Sequence, residues 1–273
     1  MTGVREDGYH LLCSVMQKID LHDTMAIGPA TGHAHAVAVN DPLVPQQEDN
    51  IVYRALEAWC RETGTDSFFD VRIEKKIPMA AGLGGGSSDA AAVLAYLNDE
   101  ADTNHRLSKD ALRQLAATLG ADVPFCLSGI TALCQGIGEI IEPLPPLDPL
   151  PMLLIKGDRP VCTKAAFAAL DRNQADRKPI DHLEIVTSLR SKTAQAGFSD
   201  SNHFLLNQKD NDDYKKITRI LARVTPLFSG LSGSGPTCFL IFENEHARER
   251  ARQLVETEFE KDRLIETAIA RTV

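Results

Sequence analysis

Residues Pro78 to Leu94 read PMAAGLGGGSSDAAAVL, and no other stretch constrains the fold as much. Gly82, Gly84, Gly85 and Gly86 lie within five residues, followed at once by Ser87, Ser88 and an alanine-rich segment. Glycine has no Cβ, so its backbone turns sharply and lets another group come close. Alanine favours helix and serine caps helix starts, which predicts a helix beginning near Ser87 or Ser88. Bare N–H groups at such a start, with the helix dipole behind them, suit a phosphate. The alternative is a turn that caps a helix and binds nothing, but four clustered glycines are costly to order for that purpose alone. The loop is not a Walker loop, because no lysine follows Gly86. It is not the dinucleotide fingerprint either, because Ser87 stands where the third glycine belongs.

The chain has 273 residues, enough for one large domain or two ordinary ones. Its 43% hydrophobic and 25% charged content is that of a globular protein with a full core. A formal net charge of −9 argues against a nucleic-acid surface, which is usually basic. It leaves ATP possible, since a few local donors and a magnesium ion neutralise phosphates. No stretch approaches membrane-spanning length, and the N-terminus lacks a signal pattern. The six scattered cysteines form no CxxC pair, which points to a reducing, cytoplasmic setting without structural disulfides.

Along the chain, Leu11–Ile19, Thr24–Ile27 and His33–Val39 read as strands. Asp49 or Asn50 caps an expected helix that stops at Gly64, and Phe69, Val71 and Ile73 alternate as a strand entering the glycine loop. A further helix follows Ser108 and ends at Gly120, and Ile130–Cys134 reads as a strand. Five prolines in the ten residues Glu142–Pro151 mark a domain boundary. Beyond it come a strand at Met152–Ile155, helices interrupted by the polar stretch Ser199–Asp213, the turn LSGSGPT, an apolar run and a last helix through Phe259. Strands and helices mix without strict alternation, so the class expected is α+β.

Three further segments could carry chemistry. Tyr9 and His10 in REDGYHLL could stack on a flat ring and bond its edge, or be structural. Asp122 in LGADVPF follows a helix stop at a rigid apolar turn, where partial desolvation would raise its pKa and suit a base; a turn residue is the alternative. Gly233 and Gly235 in LSGSGPTCF could present backbone to a ligand, or simply make a tight turn.

Together, Arg5 to His10, Glu48-Asp49-Asn50, Pro78 to Ala90, Gly120 to Pro124 and Ser232 to Gly235 resemble the GHMP kinase superfamily, whose glycine loop has the form P-x-x-x-G-L-G-x-x-S-S. The segments fall in the family's order over almost the whole chain. The Asp7-Gly8-Tyr9-His10 segment is most similar to the branch that phosphorylates the 2-hydroxyl of a cytidyl-bearing methylerythritol in the non-mevalonate route to isoprenoids. Mevalonate, phosphomevalonate and homoserine kinases are the neighbouring alternatives, and a non-catalytic nucleotide-binding protein is another.

The resemblance implies two domains: residues 1–148, resembling ribosomal protein S5 domain 2, and residues 149–273, a ferredoxin-like α/β sandwich. It implies ATP and Mg²⁺ as cofactors, with metal ligands unassigned. Asp122 matches the catalytic aspartate that takes the proton from, or orients, the attacking hydroxyl. The ATP site falls to Asn50, Lys75, Pro78, Met79, Ala80, Ala81, Gly82, Leu83, Gly84, Gly85, Gly86, Ser87, Ser88 and Asp89, with Asn50 and Lys75 near the adenine. An aspartate at position 89 adds repulsion near phosphate unless it faces magnesium or a helix start. Substrate contacts fall to Tyr9, His10, Asp122, Thr163, Phe167, Gly233, Ser234 and Gly235. Tyr9 and Phe167 are expected to sandwich the cytosine while His10 bonds its edge. A valine at Gly85 is expected to block phosphate and leave the fold in place. Family members begin with a strand close to Pro-Ala-Lys-x-Asn-Leu that carries a second catalytic residue. The sequence here opens after it, so a first sheet one strand short is expected.

Overall fold

The computed structural model describes residues 3–129, 131–157, 159–172, 180–193, 202–208, 211–259 and 267–272. The chain opens with β1 (Gly3–Val4), β2 (His10–Met16), β3 (Thr24–Pro29) and β4 (Ala36–Val39). A helix α1 (Ile51–Thr63) and strand β5 (Phe69–Glu74) lead to the glycine loop and α2 (Gly85–Glu100). Then come α3 (Lys109–Leu119), α4 (Val123–Ser128), β6 (Ala132–Gly136) and β7 (Ile140–Pro143).

Two sheets form here, in the orders β1-β2-β6-β7 and β3-β5-β4. Strand β5 pairs antiparallel with β3 and parallel with β4. The helices sit where local chemistry puts them. The Asn50 side chain accepts the Val52 N–H, and Gly64 closes α1 in the left-handed conformation. Ser108 caps α3 in the same way. One core joins α1, α2 and α3 to β4 and β5 through Val52, Leu56, Val71, Leu94 and Leu97. It holds Trp59, the chain's single tryptophan, at 4% exposure.

The rest comprises β8 (Pro151–Lys156), α5 (Thr163–Arg172), α6 (His182–Ser191), α7 (Asp212–Leu221), β9 (Phe228–Leu231), β10 (Thr237–Ile241), α8 (Glu245–Glu258) and β11 (Thr267–Arg271). The sheet order β11-β8-β10-β9, antiparallel throughout, is the ferredoxin-like arrangement. Strand β11 gave no clear sequence signal, being short and preceded by charged residues. The polar stretch is not a simple interruption: residues His203–Gln208 form a 3-10 helix with Leu205 buried, and Asp212 already begins α7. Ser199 to Ser201, Lys209 and Asp210 lie outside the described residues.

The proline-rich run is paired in ladders only at its ends, in β7 and β8, and its middle is ordered by burial. Leu147 and Leu150 are buried in a cluster with Met152, Leu154 and Phe228. Val15, Ile19, Leu21 and Leu83 from the first part of the chain pack on that cluster. It joins the glycine-loop half of the molecule to the β8 sheet.

Candidate active site

The helix after the glycine loop starts two residues earlier than the serines suggest. Gly84 takes φ 66° at the N-cap, so the chain turns into α2 at Gly85 with no side chain capping it. A Cβ on Gly84 would meet nothing within 4 Å, so this turn faces open space. The Ser88 hydroxyl is turned inward and donates to Gly85 O at 2.8 Å. The first turn of a sixteen-residue helix is therefore left with N–H groups that no side chain satisfies.

The remaining glycines have other duties. Gly82 takes φ 72°, and a Cβ there would lie 2.6 Å from Ser232 O and 2.8 Å from Gly235 O. The Ser232 hydroxyl donates to Gly82 O at 2.8 Å, so the two glycine turns, 150 residues apart, are in direct contact. A Cβ on Gly85 would lie 2.9 Å from Ile77 Cγ2 and 3.4 Å from Lys75 Nζ. Valine there would have to displace a buried isoleucine, so the expectation that Gly85→Val spares the fold is corrected by this packing. Pro78 and Met79 are half-buried, Ala80 is exposed at φ 50°, Ala81 is buried, and Leu83 packs on the cluster under the proline-rich run. Gly86 and Ser87 lie on the first turn of α2, with Gly86 exposed.

Asn50 and Lys75 make internal bonds rather than lining an open pocket. The Asn50 amide donates to Pro45 O at 2.7 Å while its oxygen caps α1. The Lys75 ammonium, at 7% side-chain exposure, is bonded to Asp23 and to Asp89, the latter at 2.8 Å. Asp23 Oδ1 also accepts the Lys76 and Ile77 N–H groups at 2.5 and 2.8 Å. Burial alone would lower the Lys75 pKa, but the bonds and charges of both carboxylates outweigh it and keep the lysine charged. Burial pushes Asp89 up to about 6, against the lowering effect of Lys75.

Asp122 stands at the N-cap of α4, just after Gly120 and Ala121. Helix α4 packs on α2 and α3, and a Cβ on Gly138 in the β6–β7 turn would touch Ala121 O at 3.0 Å. Water reaches the Asp122 side chain, yet protein crowds it closely enough that desolvation raises its pKa. It makes no side-chain cap bond, and its carboxylate has no hydrogen-bond partner among the described residues. The Cys126 thiol one turn on is pushed up to about 12 by burial first, and also by the charges of Asp122 and Asp89. No group of three or more metal-ligating side chains occurs among the described residues.

The second half of the site hangs on α5. Thr163, Phe167 and Asp171 recur every four residues and so share one face. Thr163 Oγ1 lies 3.1 Å from Ser234 Oγ in the second glycine turn. Phe167 stacks on His10 with ring centroids 4.5 Å apart and planes 16° from parallel. Asp171 bonds the His10 ring at 2.9 Å. Phe204 closes the edge of Phe167 at 5.0 Å. Tyr9 stays 60% exposed, held by the turn in which the Gly8 N–H meets Arg5 O. In this arrangement His10 itself covers one face of Phe167, where the sequence suggested an open Tyr9–Phe167 slot. Asn202 fixes the second turn, donating to Leu231 O and Gly233 O at 2.8 Å each. Sequence reasoning missed Asp23, Asp171 and Asn202, and named Ser232 only as part of the second glycine motif, without its bond to Gly82. Of the three missed, only Asp171 left a signal, its four-residue spacing from Phe167.

Comparison with known proteins gives the geometry a family. The GHMP kinase N-terminal domain matches residues 50–130 and the GHMP kinase C-terminal domain residues 202–261. The chain is 33% identical to the 4-diphosphocytidyl-2-C-methyl-D-erythritol kinase of Clostridium perfringens, over 94% of this chain and 89% of that one. It is 38% identical to the enzyme of that name from Clostridioides difficile, over 89% and 82% of the two chains. A crystal structure of 4-(cytidine 5'-diphospho)-2C-methyl-D-erythritol kinase superposes with TM-score 0.78 at 28% identity, covering 98% of this chain and 92% of that one. The homoserine kinase of Cytophaga hutchinsonii shares the fold at TM-score 0.69 and 18% identity. The two matched domains and the identity over nearly the whole chain show that this chain belongs to the GHMP kinases, in the branch of the 4-diphosphocytidyl-2-C-methyl-D-erythritol kinases.

Proposed function

We propose that this protein transfers the γ-phosphoryl group of ATP to the 2-hydroxyl of 4-diphosphocytidyl-2-C-methyl-D-erythritol. The observation that carries the reading is the pairing of an uncapped helix start with an aspartate whose carboxylate has no hydrogen-bond partner among the described residues. The residues fit a triphosphate. Gly84 opens a turn with free space where a Cβ would be, and the first amides of α2 point positive dipole ends at it. ATP supplies the phosphoryl group, and Mg²⁺ would offset its charge. The phosphate oxygens would be the ion's main ligands; Asp89 is matched by Lys75, and Asp122 is left to the substrate hydroxyl.

Asp122 accepts the proton of the substrate hydroxyl, and its raised pKa makes it the stronger base. Phosphoryl transfer asks little covalent chemistry of a protein and depends on alignment and charge. Alignment falls to the two glycine turns, which touch through Ser232 and Gly82. The cytosine ring falls to Tyr9, His10 and Phe167, with Thr163 and Ser234 beside the diphosphate end. The acidic surface, with no helix among the described residues long and apolar enough to cross a membrane, is consistent with a small-molecule enzyme of the cytoplasm. The two halves correspond to an ATP-binding unit through residue 148 and a substrate unit from residue 149.

A coupled ADP-release assay tests this, with the cytidyl substrate, mevalonate and homoserine as acceptors. ADP release that depends on the cytidyl substrate alone is expected. Turnover of homoserine or mevalonate without the cytidyl compound would overturn the assignment.

A further inference from the structure

The glycine loop has two ends, and one buried side chain holds both. Asp23, just before β3, receives the amides of Lys76 and Ile77 where the chain enters the loop. Asp89 lies on α2, where the chain leaves it. Lys75 bonds both carboxylates, and the three side chains are 1–7% exposed. The ammonium lies beneath Gly85, the first residue of α2. That end of a helix repels a cation, so the lysine stays there only because two carboxylates bind it. To reach a nucleotide it would have to leave two buried carboxylates without their counter-charge, which is costly.

We propose that Lys75 is a positioning residue, a strap that fixes the two ends of the phosphate loop through Asp23 and Asp89 and touches no part of ATP. This rests on the reading of residues 82–88 as the phosphate loop. It also accounts for an aspartate so close to a phosphate site: Asp89 is matched by the strap and faces inward. The strap governs how the Gly84 turn and the first amides of α2 are aimed. Its loss therefore weakens ligands that carry phosphates and spares those that do not.

The test is calorimetry with ATP and with adenosine on the parent, Lys75→Met, Asp89→Ala and the double variant. Loop ends that shift misaim the charge-assisted amide bonds to phosphate, and losing one such bond weakens binding by about tenfold or more. Each single variant is expected to weaken ATP about ten- to a hundredfold with adenosine unmoved. The double variant is expected to be no weaker than the worse single, because a strap cut once cannot be cut again. Loss of adenosine binding in Lys75→Met, additive losses in the double variant, or parent-like ATP binding by Asp89→Ala would each overturn the strap. If Lys75→Met does not fold, the remaining pair decides. A double variant that weakens ATP and leaves adenosine binding unmoved supports the strap, and one that loses adenosine binding overturns it. A parent that binds ATP no better than adenosine overturns the phosphate-loop reading instead, before any variant is compared.

Discussion

Asp89 and Asp122 are both crowded by protein and both have raised pKa values, yet they stand in opposite settings. Asp89 is buried against a lysine that also holds a second carboxylate. Asp122 lies one short helix away, is open to water and has no hydrogen-bond partner among the described residues. A raised pKa by itself does not single out a base; a carboxylate that is also free of bonded partners is the better candidate. The same contrast runs through the whole site. Gly85 is packed against Ile77 while Gly84 faces space. His10 is held by Phe167 and Asp171 while Tyr9 is exposed. In each pair one neighbour is packed against protein and the other is left open.

The sharpest way to break this contrast is at Asp122. Asp122→Asn keeps shape and removes the proton acceptor, so turnover should fall by roughly a hundredfold or more with ATP affinity nearly intact. Steady-state kinetics and calorimetry check it, and near-parent turnover would remove the distinction between the two aspartates.

The aromatic pair should separate binding from folding. Offset stacking adds about 0.5–1.5 kcal/mol beyond burial, so losing one ring should weaken the cytidyl substrate about tenfold. Tyr9→Ala should do so with an unchanged melting temperature. Phe167→Ala should lose stability as well, because its ring also packs on His10 and Phe204. Equal melting temperatures for both variants would show that His10 and Phe167 are not part of the frame.

Among the glycines, Gly85→Val should lower stability by about 1–3 kcal/mol through overpacking. Gly84→Ala should cost about 1–2 kcal/mol, from its left-handed backbone alone. ATP affinity should drop in both. Denaturant unfolding beside calorimetry separates the two, and a Gly85→Val protein as stable as the parent would return that residue to the ligand side.

The smallest effect is a dependence on pH. Folding lifts Asp89 from its ordinary 3.8 to about 6, so the folded state holds that proton more tightly. Its contribution to stability is complete below about 3.8 and is lost as pH rises through about 6. The stability gap between Asp89→Asn and the parent should therefore widen in favour of the variant across that window. Parallel unfolding curves would mean that Asp89 is ionised throughout.

Much of the frame was legible because it is local. Asn50, Gly64 and Ser108 mark helix ends through bonds to residues within four positions, and a sequence shows such spacings directly. The helix start at Gly85 was missed because a capping serine and a left-handed glycine compete for the same turn, and Ser88 turned inward. Asp122, Tyr9 and the glycine turns were legible as motifs. What held them was not. Asp23 meets Lys75 across 52 positions, and Ser232 meets Gly82 across 150. No period in the sequence encodes contacts of that range. Asn50 and Lys75 were assigned to a ligand for the same reason: their partners become visible only once the chain is folded.

The placement of Trp59 has a practical consequence. It is the only indole in the chain, and it is enclosed in the core that α1, α2 and α3 form with β4 and β5. The β8 sheet has a separate core with none. Intrinsic emission is therefore a one-sided optical gauge: it reports loss of the first core and is silent while the second melts. Circular dichroism registers both. A lag between the two signals during denaturation would time the release of one sheet system from the other, with no label attached to the protein.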